Sequence, residues 1–308
     1  HNSRPAHALP LSLYVHVPFC ESLCYYCACN KIITKHKERG IEYLAYLQRE
    51  IDLHVARLGA GQAISQLHFG GGTPTFLDDE HLTRLMDMIR KAFTLVPGGE
   101  YSIEVDPRTV DVARLKTLHA LGFNRLSFGV QDFDPQVQKA VHRIQPADQV
   151  FALARAAREI GFDSINADLI YGLPMQSAAS FARTLEQIRE LRPDRIALYA
   201  YAHLPERFKP QRRIDAYTLP TGAEKVQMLA QSLKAFEEAG YVYVGMDHFA
   251  PQLSGVQHAA GLRSDRSGRF GDWPYWRYLQ PECQDARGVL RRPGAWPLPG
   301  GAWPDAEQ

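Results

Sequence analysis

Two periods of hydrophobic and polar residues alternate along most of the chain. Leu11–Val17, LSLYVHV, alternates and is rich in β-formers, which predicts a strand. A charged stretch, KIITKHKERG, leads into 42–58, where Leu44, Leu47, Ile51, Val55 and Leu58 fall at a helical period. A short strand over 66–69 breaks into Gly70-Gly71-Gly72-Thr73-Pro74. A helix follows over 79–93, with Leu82, Leu85, Met86 and Ile89 on one stripe and acidic residues at its start. The same alternation continues with a strand at 101–105, a helix at 112–121 stopped by Gly122, a strand at 125–130 and a helix over Ala147–Ile160 closed by Gly161. It ends with strands at 164–170 and 195–199, helices at 177–191 and 223–239, and a strand-like YVYVGMDHFA from Tyr241.

Strand and helix alternating at least six times, with short loops after the strands, imply a parallel sheet with right-handed crossovers, either open or closed as a barrel. The unusual polar and glycine-rich segments all follow strands. In a barrel they share the C-terminal rim, where such folds keep their active sites.

Composition narrows the class without naming a function. The 308 residues carry 35 basic and 34 acidic side chains, which gives no electrostatic case for nucleic acid or an anionic membrane. No apolar run approaches a membrane span, so the expectation is a soluble cytoplasmic protein. The opening HNSRPAHALP begins with His1, and a missing native N-terminus is expected. The division expected is an extension over 1–10, an α/β domain over 11–250 and a tail over 251–308.

That tail is different material. It holds all four tryptophans, has no lysine, and is dominated by Arg, Gly and Pro without helical or strand period. Disorder is one reading. The other, preferred here, is a shifted reading frame after Ala250. With permitted synonymous codons, the neighbouring frame from Pro251 reads RNFQGYSTQPDCDLIGLGVSAI and that from Trp273 reads GPTGATYSQNVKTLEEYYDAL, both with ordinary globular periodicity.

Four of the five cysteines fall in CESLCYYCAC, at spacing C-x3-C-x2-C-x-C from Cys20 to Cys29. Soft thiolates on one short loop suit iron–sulfur or zinc chemistry. A structural zinc site normally adds a second, distant knuckle, and Cys283 alone does not make one.

On this loop after the first strand, and on GGGTP one strand later, the chain resembles the radical S-adenosylmethionine enzymes. LYVHVPFCESLCYYCACNK, LHFGGGTPTFL, IEVDPR, GFNRLSFGVQDF, DLIYGLP, YAHLP and GMDHFA narrow the resemblance to the oxygen-independent coproporphyrinogen III dehydrogenase family, over about four-fifths of the chain. The resemblance implies a partial (β/α)6 barrel in which Cys20, Cys24 and Cys27 hold a [4Fe-4S] cluster with one iron open to S-adenosylmethionine. It implies two such molecules. Tyr14, Gly71 and Glu104 would serve the cluster-bound one. Tyr26, Gly72, Thr73, Gln131, Arg143, Asp168 and Ala202 would serve the second. Glu104 and Asp168 are acceptors suited to ribose hydroxyls or an ammonium, and Arg143 suits a carboxylate.

No catalytic side chain is assigned beyond the cluster; His203, Asp247 and His248 are further polar candidates for meeting substrate. Cys29 is not an iron ligand in the family, and it separates this branch from the related haem chaperones. The implied reaction is oxidative decarboxylation of two propionates of coproporphyrinogen III to vinyl groups, in a monomer with an electron donor and acceptor that the sequence does not identify. Two alternatives stand: a haem chaperone on the same barrel, or an inactive product truncated by its tail.

Overall fold

The computed structural model describes residues 9–251 and 277–279. The chain after Pro251, with Cys283 and the expected frame change, lies outside them apart from that short segment.

Six parallel strands form the body of a nine-stranded sheet: β1 (Leu11–Val17), β4 (Gln62–Gly71), β5 (Phe93–Val105), β6 (Arg125–Gln131), β7 (Ser164–Tyr171) and β8 (Arg195–Ala200). Between β1 and β4 lie two short strands, β2 (Phe19–Cys20) and β3 (Ile32–Ile33). The crossovers carry α1 (Arg39–Leu58), α2 (Asp79–Ala92), α3 (Val112–Ala120), α4 (Pro135–Ala140), α5 (Ala147–Ile160), α6 (Ala178–Leu191) and α7 (Gly222–Glu238). A terminal hairpin, β9 (Tyr241–Gly245) and β10 (His248–Pro251), adds antiparallel to β8, and β11 (Arg277–Leu279) runs parallel along β1. The order is β11-β1-β4-β5-β6-β7-β8-β10-β9, so the described sheet stays open, as a partial barrel requires.

Side-chain alternation explains how this sheet holds both a core and a site. Val15, Phe69, Ile103, Leu126, Phe128, Ile165 and Ile196 are buried in one cluster with Leu44, Leu47, Leu82, Leu85 and Ile89 of the helices. Tyr14, His16, His68, Glu104, Ser127 and Asp168 occupy alternate positions and line a cavity instead. Local signals fix the helix starts. Asp78, Asp111 and Asp134 accept backbone N–H bonds at the first turns of α2, α3 and α4. Ser177 and Thr221 form capping boxes on α6 and α7.

The strand-like run from Tyr241 is a hairpin, not one strand. Met246 and Asp247 turn it with φ of 48° and 62°, the left-handed pair of a two-residue β-turn. Two strands are longer than their apolar runs suggest. α2 ends at Ala92, the chain enters β5 at once, and Phe93 pairs with Gln62, extending β4 and β5 together.

Candidate active site

The cysteine loop is closed at its base. β2 and β3 pair in parallel, Phe19 with Ile32 and Cys20 with Ile33, so both ends of the loop lie side by side. The Lys31 ammonium donates to the carbonyls of Cys27 (3.1 Å) and Cys29 (3.3 Å). On its outer side, the Tyr25 N–H donates to the Val141 carbonyl (2.9 Å) and its ring stacks on His142 at 5.0 Å. The buried Gln211 side chain donates at 3.1 Å to the carbonyls of both Tyr26 and Ala202, tying the loop to the chain after β8.

All four sulfurs border one cavity of about 560 Å³, but their surroundings differ. Cys24 is buried, and its sulfur accepts from Arg108 Nη2 (3.7 Å) and Arg143 Nη1 (3.6 Å). The Thr73 hydroxyl donates to Cys20 Sγ at 3.4 Å, and burial pushes that thiol up to about 11. Hydrogen bonding from Cys29 pulls the Cys27 thiol down to about 6 and raises Cys29 in return. Among the described residues, no group of three or more His, Cys, Asp or Glu side chains is gathered as a metal site. Three thiols on one loop, each receiving a hydrogen bond at sulfur, are the donor set for a cluster held by Cys20, Cys24 and Cys27 and open towards the cavity.

The glycine stretch forms the adjoining wall. Gly71 has φ 113° and donates its N–H to Glu104 Oε2 at 3.2 Å. A Cβ on Gly71 would lie 2.7 Å from the His16 ring, and one on Gly72 would lie 2.8 Å from the Phe19 carbonyl. The backbone therefore approaches the cavity with amides that a side chain would displace. Glu104 Oε1 also meets His68 Nε2 at 3.2 Å, and the His68 ring stacks on Tyr14 at 5.6 Å.

Deeper in the same cavity are Gln131, Arg143 and Asp168. Gln131 holds φ 66°, and its buried Oε1 has no partner among the described residues. Arg143 pairs with Asp106 (3.1 Å) and donates to the Gly129 carbonyl (2.7 Å), while its Nε is unpartnered. The Asp168 carboxyl accepts from Asn166 Nδ2 (2.7 Å) and the Ser127 hydroxyl (3.1 Å); burial, then the nearby Glu104 carboxylate, push it up to about 6. Tyr14, Tyr26, Gly72 and Thr73 line this cavity too, as does His248. Ala202 stands outside its lining; its carbonyl shares the Gln211 amide with that of Tyr26, which does line it. Neither His203, bonded to the Tyr201 hydroxyl (2.9 Å), nor Asp247, whose backbone carbonyl accepts from the Leu198 N–H, lines the cavity.

The sequence profile of the Radical SAM superfamily matches residues 14–188, the stretch that contains this cysteine loop, the glycine wall and Asp168. The chain belongs to the Radical SAM superfamily. It is 50% identical over 264 residues to the oxygen-independent coproporphyrinogen III oxidase of Pseudomonas aeruginosa, covering 84% of this chain and 57% of that protein. It is 51% identical over 241 residues to the Escherichia coli protein of the same name, covering 78% and 52%. The solved structure of coproporphyrinogen III oxidase from Escherichia coli, described as a Radical SAM enzyme, superposes with a TM-score of 0.76 at 50% identity, over 79% of this chain and 56% of that one. The chain thus spans about half the length of the curated relatives it matches.

Within this radical SAM site, four contributors escaped the sequence reading. Asp106 and Arg108 sit in the IEVDPR motif, but their convergence with Arg143 on Cys24 links residues far apart in the chain. Asn166 could have been found from its period-two relation to Asp168. Gln211 lies in KPQRR, where nothing in the pattern marks it for burial.

Proposed function

We propose that this chain is the radical SAM part of an enzyme that oxidatively decarboxylates coproporphyrinogen III to protoporphyrinogen IX without oxygen, in haem biosynthesis. The observation that carries it is the convergence of three cysteines, the glycine wall, Glu104 and Asp168 on one cavity, in a chain half identical to named coproporphyrinogen III oxidases.

Cys20, Cys24 and Cys27 would hold the cluster. With S-adenosylmethionine bound, it supplies a carbon-centred radical able to remove hydrogen from the propionate carbon beside the ring. Each of the two reacting propionates loses that hydrogen atom and carbon dioxide, its last electron goes to an acceptor, and a vinyl group remains. Glu104 has its oxygens held by Gly71 and His68, with lone pairs left for a ribose hydroxyl or an ammonium. The unpartnered Arg143 Nε can receive a carboxylate, and the Gln131 Oε1 an amine or hydroxyl. Two S-adenosylmethionine molecules are proposed, one served by Tyr14, Gly71 and Glu104, the other by Tyr26, Gly72, Thr73, Gln131, Arg143, Asp168 and the Ala202 backbone. We place the protein in the cytoplasm as a monomer, its electron donor and acceptor lying outside the chain. Among the described residues, no helix is long and apolar enough to cross a membrane.

Anaerobic reconstitution, then reduction with S-adenosylmethionine present, tests the reading. The expected result is iron–sulfur absorbance and 5′-deoxyadenosine. Failure to hold a cluster overturns it, and so does tight stoichiometric haem binding with no cleavage. Cleavage without porphyrinogen turnover would assign substrate closure to the half of the relatives that this chain does not match.

A further inference from the structure

The three proposed cluster ligands are not equivalent before any iron is bound. Cys24 alone among them is buried, and it alone receives two guanidinium donors, whereas Cys27 is served by the Lys31 ammonium and the Cys29 thiol. Arg108 and Arg143 approach its sulfur at 3.7 and 3.6 Å, while Cys20 receives only the neutral Thr73 hydroxyl at 3.4 Å. Neither guanidinium is there by chance. Asp106 accepts from Arg108 Nε at 2.9 Å and Nη2 at 2.6 Å, and from Arg143 Nη1 at 3.1 Å, so one buried carboxylate orients both. The Asp106 side chain is itself set by the N–H of Arg108 at 3.1 Å, at the start of a single helical turn after β5. The group is two cations and one anion, net positive, against a single sulfur.

We propose that Asp106, Arg108 and Arg143 form a redox-tuning clamp on the Cys24 ligand, raising the reduction potential of the cluster, with Asp106 and Arg108 as positioning residues. The inference rests on the proposed cluster and goes beyond it. Hydrogen bonds to ligand sulfurs and net charge around a cluster are among the quantities that set its potential. Adding an electron makes the cluster more negative, and a net positive clamp in a buried setting favours that state over the oxidised one. Charged donors act more strongly than neutral ones, so the Arg pair on Cys24 should outweigh Thr73 on Cys20. Arg108 is the cleaner probe, because Arg143 also has the unpartnered Nε offered to a ligand.

The test is an EPR-monitored redox titration of the reconstituted full chain, without S-adenosylmethionine, comparing wild type with R108Q, R108K and T73V. At a fixed potential, R108Q should lower the ratio of reduced to oxidised cluster about tenfold, equivalent to a midpoint about 59 mV more negative for one electron. R108K should fall between R108Q and wild type, since it keeps the charge but not the fork. T73V should shift less than R108Q. An unchanged midpoint in R108Q overturns the proposal. If R108Q does not retain a cluster, R108K decides, and wild-type behaviour there overturns it. Absence of a cluster from the wild type would instead be failure of the proposed cluster itself, distinguishable before any variant is made.

Discussion

The backbone N–H of Gly71 donates to the Glu104 carboxylate across 3.2 Å, so the glycine turn that ends one strand is latched to the acid near the end of the next. Gly71 can make this bond because its φ is 113°, a conformation that a Cβ would strain while pressing against His16. Gly71→Ala should therefore cost about 1–3 kcal/mol of stability and weaken S-adenosylmethionine binding, read by thermal unfolding and equilibrium dialysis. Gly72→Ala should act differently. Its Cβ meets the Phe19 carbonyl and the Pro18 backbone, the path that delivers Cys20, so reduced iron retention is expected.

The cysteines should separate by substitution. Serine at Cys20, Cys24 or Cys27 should abolish the iron–sulfur absorbance after reconstitution, while Cys29→Ser should keep it. Iron and sulfide analysis checks both, and loss of the cluster in Cys29→Ser would make it a ligand.

Asp168 should make stability fall as pH rises. Its folded-state carboxyl titrates at about 6, against an ordinary 3.8, so the folded state holds the extra proton between those values. Stability declines across that window and is flat above it. The shift sets a ceiling of about 3 kcal/mol, and partial opening of the carboxylate to the cavity reduces this to about 1–2 kcal/mol. Asp168→Asn should then be more stable than wild type at pH 7.5 and flatten the slope between pH 4 and 6, while binding less S-adenosylmethionine. Urea unfolding at several pH values measures the first effect, and ligand stoichiometry the second.

Gln211→Ala should loosen the cysteine loop from a distance. This buried amide donates to Tyr26 and Ala202 and accepts from the Leu204 N–H at 2.6 Å. Truncating it leaves those groups unpaired, at about 2–3 kcal/mol. Faster amide exchange in the segment from Cys24 to Lys31 is the expected signature.

The tail makes a prediction about nucleic acid rather than protein. The coding sequence after Ala250 should read RNFQGYSTQPDCDLIGLGVSAI in the neighbouring frame. Codons that do not support that reading would leave the disordered-tail alternative in its place.

The six parallel strands and their helices were legible because burial on alternate or helical positions is written in the apolar pattern. The final hairpin was not. Met246 and Asp247 adopt left-handed backbone without the Asn or Gly that ordinarily marks such a turn, and the flanking YVYV and HFA read as continuous strand. The cysteines, glycines, Glu104, Arg143 and Asp168 stood out through spacing and resemblance, whereas Ala202 does not line the cavity formed here. The Asp106 clamp stayed hidden because its meaning depends on which side chains meet across Cys24, information that arises only when β5, the cysteine loop and the chain after α4 come together.

The two-residue pairing of β2 with β3 has an entropic meaning. With Cys20 and Ile33 side by side, the arc bearing Cys24 and Cys27 is anchored at both ends by backbone pairing. Any further link within the arc therefore closes a short loop, at a smaller entropic cost than joining distant stretches of chain.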